Sequence, residues 1–131
     1  MKNDVTIFDG KIIISSLLKA QEALKKGVGI AKSKLEKDGA IQRFEFTYEL
    51  LWKTLKKILA FKGVVSNSPR EVFRAAAKNG LLEDPKFWFE VIKKRNISTH
   101  IYNEEMAEEV FDFLQLFEKE LEKVIDKIRQ L

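Results

Sequence analysis

The chain contains no cysteine, which excludes disulfides and thiolate metal centres. Its single histidine, His100, is too little for a conventional zinc site. Two prolines and six glycines occur in 131 residues, and none forms a phosphate-cradling loop or a dinucleotide fingerprint. No apolar run approaches the ~20 residues of a membrane-spanning helix, and the N-terminus lacks a basic segment followed by an apolar stretch and a cleavage site. Strand-like alternation, internal repeats and low-complexity tracts are also missing. These absences lead us to expect a cytoplasmic protein with no metal, no cofactor and no membrane partner.

What is present suffices for one core. Hydrophobic residues make up 45% and charged residues 34%, and the length suits a single domain over residues 1–131, with 1–8 as a loose or extended lead-in. The net charge of +4 permits an anionic partner without demanding one. From about Asp9 the spacing of Ile13, Leu17, Leu24 and Leu35 predicts a helix, interrupted at Gly27 and Gly29. Asp38-Gly39 reads as a turn, with Asp38 as the N-cap of a second helix over about 40–62. There Ile41, Phe44, Tyr48, Leu51, Leu55 and Ile58 form the main stripe. Phe46, Leu50 and Trp52 add hydrocarbon on other faces, which predicts a central position or a subunit interface. Glu45, Glu49 and Lys53 follow at spacings of four, the pattern of a solvated ion-pair ladder unless one glutamate turns inward.

Both prolines mark helix starts. Ser68-Pro69-Arg70-Glu71 is a capping box opening a short helix that stops at Gly80. Arg70 and Arg74 share one of its faces and are expected in solvent. Asp84-Pro85 opens the next helix, and Asn103 caps the last, where Met106, Val110, Phe113, Phe117, Leu121, Val124 and Ile128 recur at nearly heptad spacing. The pattern predicts an all-α bundle of about five helices, three of them long.

The helix after Pro85 breaks its own pattern. Trp88, Val91 and Ile92 define an apolar face, and at 100° per residue its continuation falls on Arg95, Thr99 and Tyr102. Asn96 and His100 stand one turn apart beside that line. A buried arginine needs an anionic or hydrogen-bonding partner, and local rules often break at functional sites. Arginine supplies a planar anion clamp, histidine exchanges protons near neutral pH, and tyrosine adds a phenol. The set Arg95, Asn96, His100 and Tyr102 suits binding or cleaving a phosphodiester without metal; the bland alternative is that these groups only cap and pair.

The run Ala40-Ile41-Gln42-Arg43-Phe44-Glu45-Phe46-Thr47-Tyr48-Glu49-Leu50-Leu51-Trp52-Lys53-Thr54-Leu55-Lys56, then Ser68-Pro69-Arg70-Glu71, then Arg95-Asn96 through His100-Ile101-Tyr102-Asn103-Glu104-Glu105, resembles the nucleotidyltransferase substrate-binding-protein family. That family belongs to the HEPN superfamily and lies close to the HepT-type toxins. The resemblance covers nearly the whole chain from about residue 10. It implies an antiparallel four-helix-type bundle with an extra short helix, assembled as a two-fold dimer or a higher assembly of dimers. It implies a partner, a small nucleotidyltransferase of the minimal type, in a toxin-antitoxin-like pair. The R-x4-6-H element of HEPN ribonucleases falls on Arg95 and His100, with Asn96 in the accompanying polar position. The R-x4-H-x-Y form is complete, so Tyr102 would be the residue that the partner modifies with AMP, or a nucleotide-binding residue.

Two functions stay open on this reading. One is a metal-independent endoribonuclease acting on RNA through Arg95, Asn96 and His100. The other is a non-catalytic subunit whose pocket holds a nucleotide or other substrate for the nucleotidyltransferase.

Overall fold

The computed structural model describes residues 3–131. Five helices follow a two-residue-per-strand hairpin: β1 (Thr6–Ile7), β2 (Ile12–Ile13), α1 (Ser15–Ile30), α2 (Lys34–Phe61), α3 (Pro69–Lys78), α4 (Pro85–Ser98) and α5 (Glu104–Arg129). α1, α2, α4 and α5 are the bundle, and α3 is the extra short helix. Within the loose or extended lead-in expected over 1–8, Thr6–Ile7 are extended as β1, and residues 1 and 2 lie outside the described chain. The helix expected from about Asp9 is corrected, because α1 begins at Ser15. Thr6 pairs with Ile13 and Ile7 with Ile12 in antiparallel register. The turn between them carries Phe8 and Asp9 at positive φ, followed by Gly10. Two-residue strands are too short to show alternation, so periodicity missed them. Ile7, Ile12 and Ile14 are buried, and Phe8 N–H donates to the Leu131 carbonyl at 3.2 Å, tying the hairpin to the C-terminus.

α1 runs unbroken through Gly27 and Gly29 to Ile30. Tertiary packing overrides propensity here. Gly27 is buried, and a Cβ added there would lie 3.0 Å from Arg43 Nη1 and 3.1 Å from its Cδ. The missing side chain thus lets Arg43 lie across α1 and donate to the Ala23 carbonyl at 2.8 Å. The N-cap of α2 is Ser33, not Asp38. Ser33 Oγ accepts from Glu36 N–H at 3.1 Å while Glu36 Oε1 accepts from the N–H groups of Ser33 and Lys32 at 2.9 and 3.0 Å. Those backbone bonds, from Ser33 first and then Lys32, hold the Glu36 carboxyl below its usual range. Asp38 and Gly39 lie within the helix, and Leu35, read as part of the first stripe, belongs to α2 and is exposed.

The other predicted boundaries hold. Gly63 ends α2 and Gly80 follows α3, both at positive φ, the conformation glycine tolerates best. Ser68 Oγ accepts from Glu71 N–H at 3.2 Å, and the Glu71 side chain receives Asn67 N–H at 2.9 Å, one residue before the expected reciprocal bond. Asp84 and Asn103 cap α4 and α5. Phe44, Phe73, Trp88 and Phe117 are fully buried at the centre, with Phe44 edge-on to Phe117 at 4.9 Å between centroids. α2 is not apolar all round: Phe44 is core, Leu50 and Trp52 are half-buried against it, and Phe46 is left 63% exposed. Among the described residues no helix is long and apolar enough to cross a membrane.

Candidate functional site

Arg95 lies in the last turn of α4, where cations complement the helix dipole. Its guanidinium sits 5.9 Å from the centroid of the buried Tyr48 ring and 3.7 Å from the Glu49 carboxylate, both on α2. Arg95 Nε is buried and finds no hydrogen-bond partner among the described residues. Burial first, and then the Glu49 charge, push the Tyr48 phenol up to about 12, against the opposing pull of Arg95.

Hydroxyl groups end the helix in place of a glycine. Ser98 Oγ is 2.7 Å from the Arg95 carbonyl and donates across to the Glu45 carboxylate of α2. Thr99 Oγ1 donates to the Asn96 carbonyl at 2.8 Å. The Thr99 contact occupies a carbonyl that a helix C-terminus otherwise leaves unpaired. The same end is fixed to α5 by Lys94, which reaches Glu109 at 3.0 Å and Glu90 at 3.3 Å. Burial alone would lower the Lys94 pKa, but the hydrogen bonds to Glu109 and Glu90 outweigh it and raise it above the usual lysine value.

Because α4 stops at Ser98, Thr99 and Tyr102 do not continue the Trp88–Val91–Ile92 face. Trp88 and Val91 are buried and Arg95 half-buried, whereas Thr99 and Tyr102 are exposed. Tyr102 stays beside the histidine: its hydroxyl is 3.5 Å from His100 Nδ1, and the rings lie 29° apart at 6.4 Å between centroids. Asn96, near the end of α4, and His100, just past it, are both exposed. The structure therefore brings together Arg95 with Glu49, and His100 with Tyr102.

Sequence reasoning missed Glu45 and Ser98 as a pair and left Glu49 undecided. Both glutamates turn toward α4, one onto Ser98 and the other onto Arg95; Glu49 also keeps its ladder contact to Lys53 at 3.6 Å and accepts from the Trp52 indole at 3.3 Å. Their spacing of four was the available signal. A groove of about 710 Å³ opens between the first half of α2 and the α4–α5 connection, lined by Ile41, Glu45, Ser98, Ile101, Tyr102 and Asn103 among others. Arg95 and His100 lie outside this lining. Among the described residues no three His, Asp or Glu side chains converge as a metal-binding group.

The helical bundle carries Arg95 against Glu49 near the end of α4 and His100 against Tyr102 just past it, and its likeness to known proteins defines its class. Residues 13–130 match the family described as "Nucleotidyltransferase substrate binding protein like", and the chain belongs to that family. It is 32% identical over 97 residues to the "Probable ribonuclease HepT" of Haemophilus influenzae, a match covering 70% of this chain and 66% of that protein. Two solved structures share the fold. A Thermus thermophilus protein is 34% identical with a TM-score of 0.81, over 86% of this chain and 98% of that one. A Haemophilus influenzae protein, reported to reveal the fold of a substrate binding domain of a nucleotidyltransferase, is 26% identical with a TM-score of 0.78, over 88% and 98%.

Proposed function

We propose that this chain is the helical partner subunit of a two-component minimal nucleotidyltransferase system and cleaves RNA without metal through Arg95, Asn96 and His100. The observation that carries the reading is the state of Arg95. Its guanidinium is held between Tyr48 and Glu49 with Nε unpaired, five residues before the only histidine. An orphaned buried donor costs about 1–3 kcal/mol, a strain that native structures tend to keep at working sites. A phosphate at the guanidinium would compete with Glu49 for its remaining N–H groups.

In this reaction the ribose 2′-oxygen attacks phosphorus as the P–O5′ bond breaks. One imidazole takes the 2′-hydroxyl proton, and a second, protonated imidazole gives its proton to the leaving O5′. The products are a 2′,3′-cyclic phosphate and a 5′-hydroxyl. Arg95 balances charge on the phosphorane, and Asn96 orients its histidine or the ribose. One chain supplies one histidine, so the active species is a two-fold dimer in which two α4 ends share a cleft. Gln42, Phe46, Glu49 and Lys53 recur on the outward stripe of α2 at helical spacing. A two-fold contact centred on exposed Phe46 would draw both Glu49–Arg95 pairs toward it.

The groove beside Tyr102 favours a second reading, a non-catalytic subunit holding a nucleotide or other substrate for the partner nucleotidyltransferase. The test is cleavage of single-stranded RNA in EDTA. The ribonuclease reading expects 2′,3′-cyclic phosphate ends, and a loss on the order of 10²–10⁴-fold in His100→Ala and Arg95→Ala with helicity unchanged. Activity surviving both substitutions removes that reading. Nucleotide binding that is intact in a protein without cleavage, and is lost in Tyr102→Ala, which alters the groove lining, supports the second.

A further inference from the structure

Two arginines of α3 converge on one ring of α4. Arg70 Cζ lies 4.4 Å and Arg74 Cζ 5.6 Å from the centroid of Phe89. Both arginines are exposed and Phe89 is partly exposed. The ion pairs of α4 among the described residues engage Lys93, Lys94 and Arg95 with Glu90, Glu109 and Glu49, and no carboxylate reaches Arg70 or Arg74. The neighbouring acid, Glu71, is turned to the Asn67 N–H. Two like charges spaced four apart on a helix repel. Here both are drawn to the same aromatic face with no counter-charge between them.

Phe89 also belongs to a longer pattern. Lys86, Phe89, Lys93 and Asn96 follow at spacings of three and four, one face of α4, and His100 lies two residues past its end. Four of the five are exposed and Phe89 is half-exposed. Phe89 and Asn96 are seven residues apart, so about 10 Å of helix separates them at 1.5 Å per residue. That is the span of roughly three nucleotides of stacked strand. Glu90 on the same helix is bound by Lys94 at 3.3 Å and lies 4.0 Å from Lys93.

We propose that Arg70, Arg74 and Lys93, organised around Phe89, form a track for the phosphate backbone of single-stranded RNA, leading the strand along α4 to Asn96 and His100. The inference rests on the ribonuclease reading and adds the path of the substrate away from the cleavage point. Backbone phosphates engage the guanidiniums, and Phe89 holds those groups in place by cation–π contact. Recognition of this kind is sequence-tolerant and salt-dependent.

The experiment is fluorescence anisotropy with a labelled 2′-O-methyl oligouridine, which lacks the attacking hydroxyl and is not cut, titrated with the full chain at several salt concentrations. Arg70→Ala/Arg74→Ala is expected to weaken binding by on the order of tenfold for each arginine. It should also flatten the dependence of log K on log salt by about 1.4, two single-strand phosphate contacts. Lys25→Ala/Lys26→Ala on α1 makes the same change in net charge and should leave both quantities as in wild type. Equal losses in the two double variants, or no loss in the arginine pair, overturn the track. A parallel loss of AMP binding in the arginine pair would instead make the site a mononucleotide pocket and also overturn it. If unmodified RNA is still cut while the arginine pair binds the oligonucleotide normally, the track fails and the ribonuclease reading stands; if wild type neither binds nor cuts, both fail.

Discussion

Tyr48 lies in the core beneath Arg95, and its phenol reports on that contact. A tyrosine raised from 10.0 to about 12 in the folded chain contributes stability that is fully present below pH 10 and lost as the pH rises toward 12, because the unfolded phenol ionises first. Denaturant midpoints should therefore fall more steeply between pH 10 and 12 in wild type than in Tyr48→Phe; parallel curves would show that the phenol is not coupled to folding. Tyr102 is the opposite kind of tyrosine, 81% exposed and not packed beneath α5. Its position lets a partner enzyme reach it. In the AMP transfer that we propose for Tyr102, the phenolic oxygen would attack the α-phosphorus of ATP as pyrophosphate leaves and the phenolic proton is lost. The added AMP would place an anion and a purine beside His100. Incubation with the cognate nucleotidyltransferase, ATP and Mg²⁺ should raise the intact mass by one AMP in wild type and not in Tyr102→Phe, with loss of RNA binding. An unchanged wild-type mass defeats this control mechanism and favours the substrate-holding alternative.

At the scale of elements, legibility followed the strength of local signals. The caps at Ser68, Asp84 and Asn103 were readable because each side chain bonds within its own first turn. The start of α2 was misread because Asp38-Gly39 resembles a turn, while Ser33 and Glu36 already formed a capping box five residues earlier. Ser33→Ala should thus cost about 1 kcal/mol in thermal unfolding. Asp38→Ala removes only an exposed contact to Lys34 at 3.8 Å and should be near neutral; the reverse order would return the cap to Asp38. The candidate site was legible where its residues lie close in sequence, with Arg95 and Asn96 in the last turn of α4 and His100 just past it. It was illegible where α2 answers α4, because Glu45 and Ser98 are 53 residues apart and only the bundle packs them together. Projection of the helical face failed at Thr99 and Tyr102, since the Ser98 and Thr99 hydroxyls stop the helix without a glycine to announce it.

For the whole molecule, the open question is what covers Phe46. The core takes Phe44 and the half-buried Leu50 and Trp52, so the hydrocarbon that suggested an interface narrows to one exposed ring. Beside it lies a mostly apolar groove of about 340 Å³ lined by Ser16, Lys19, Ala20, Ala23, Arg43 and Phe46. A protruding ring next to a recess walled by small residues is what a two-fold interface can use twice, each copy inserting its ring into the other. The same stripe of α2 carries Glu49, so we propose that docking there would also draw the Arg95 ends toward one cleft. We expect light scattering to give a dimer, or an assembly of dimers, at micromolar concentration. Phe46→Glu should yield a monomer of unchanged helicity, because its side chain is largely outside the core, and should lose RNA cleavage although every residue of the Arg95–His100 cluster is intact. A wild-type monomer, or a Phe46→Glu monomer that cuts RNA as well as wild type, would rule out the shared cleft and require a second proton-transfer group within one chain.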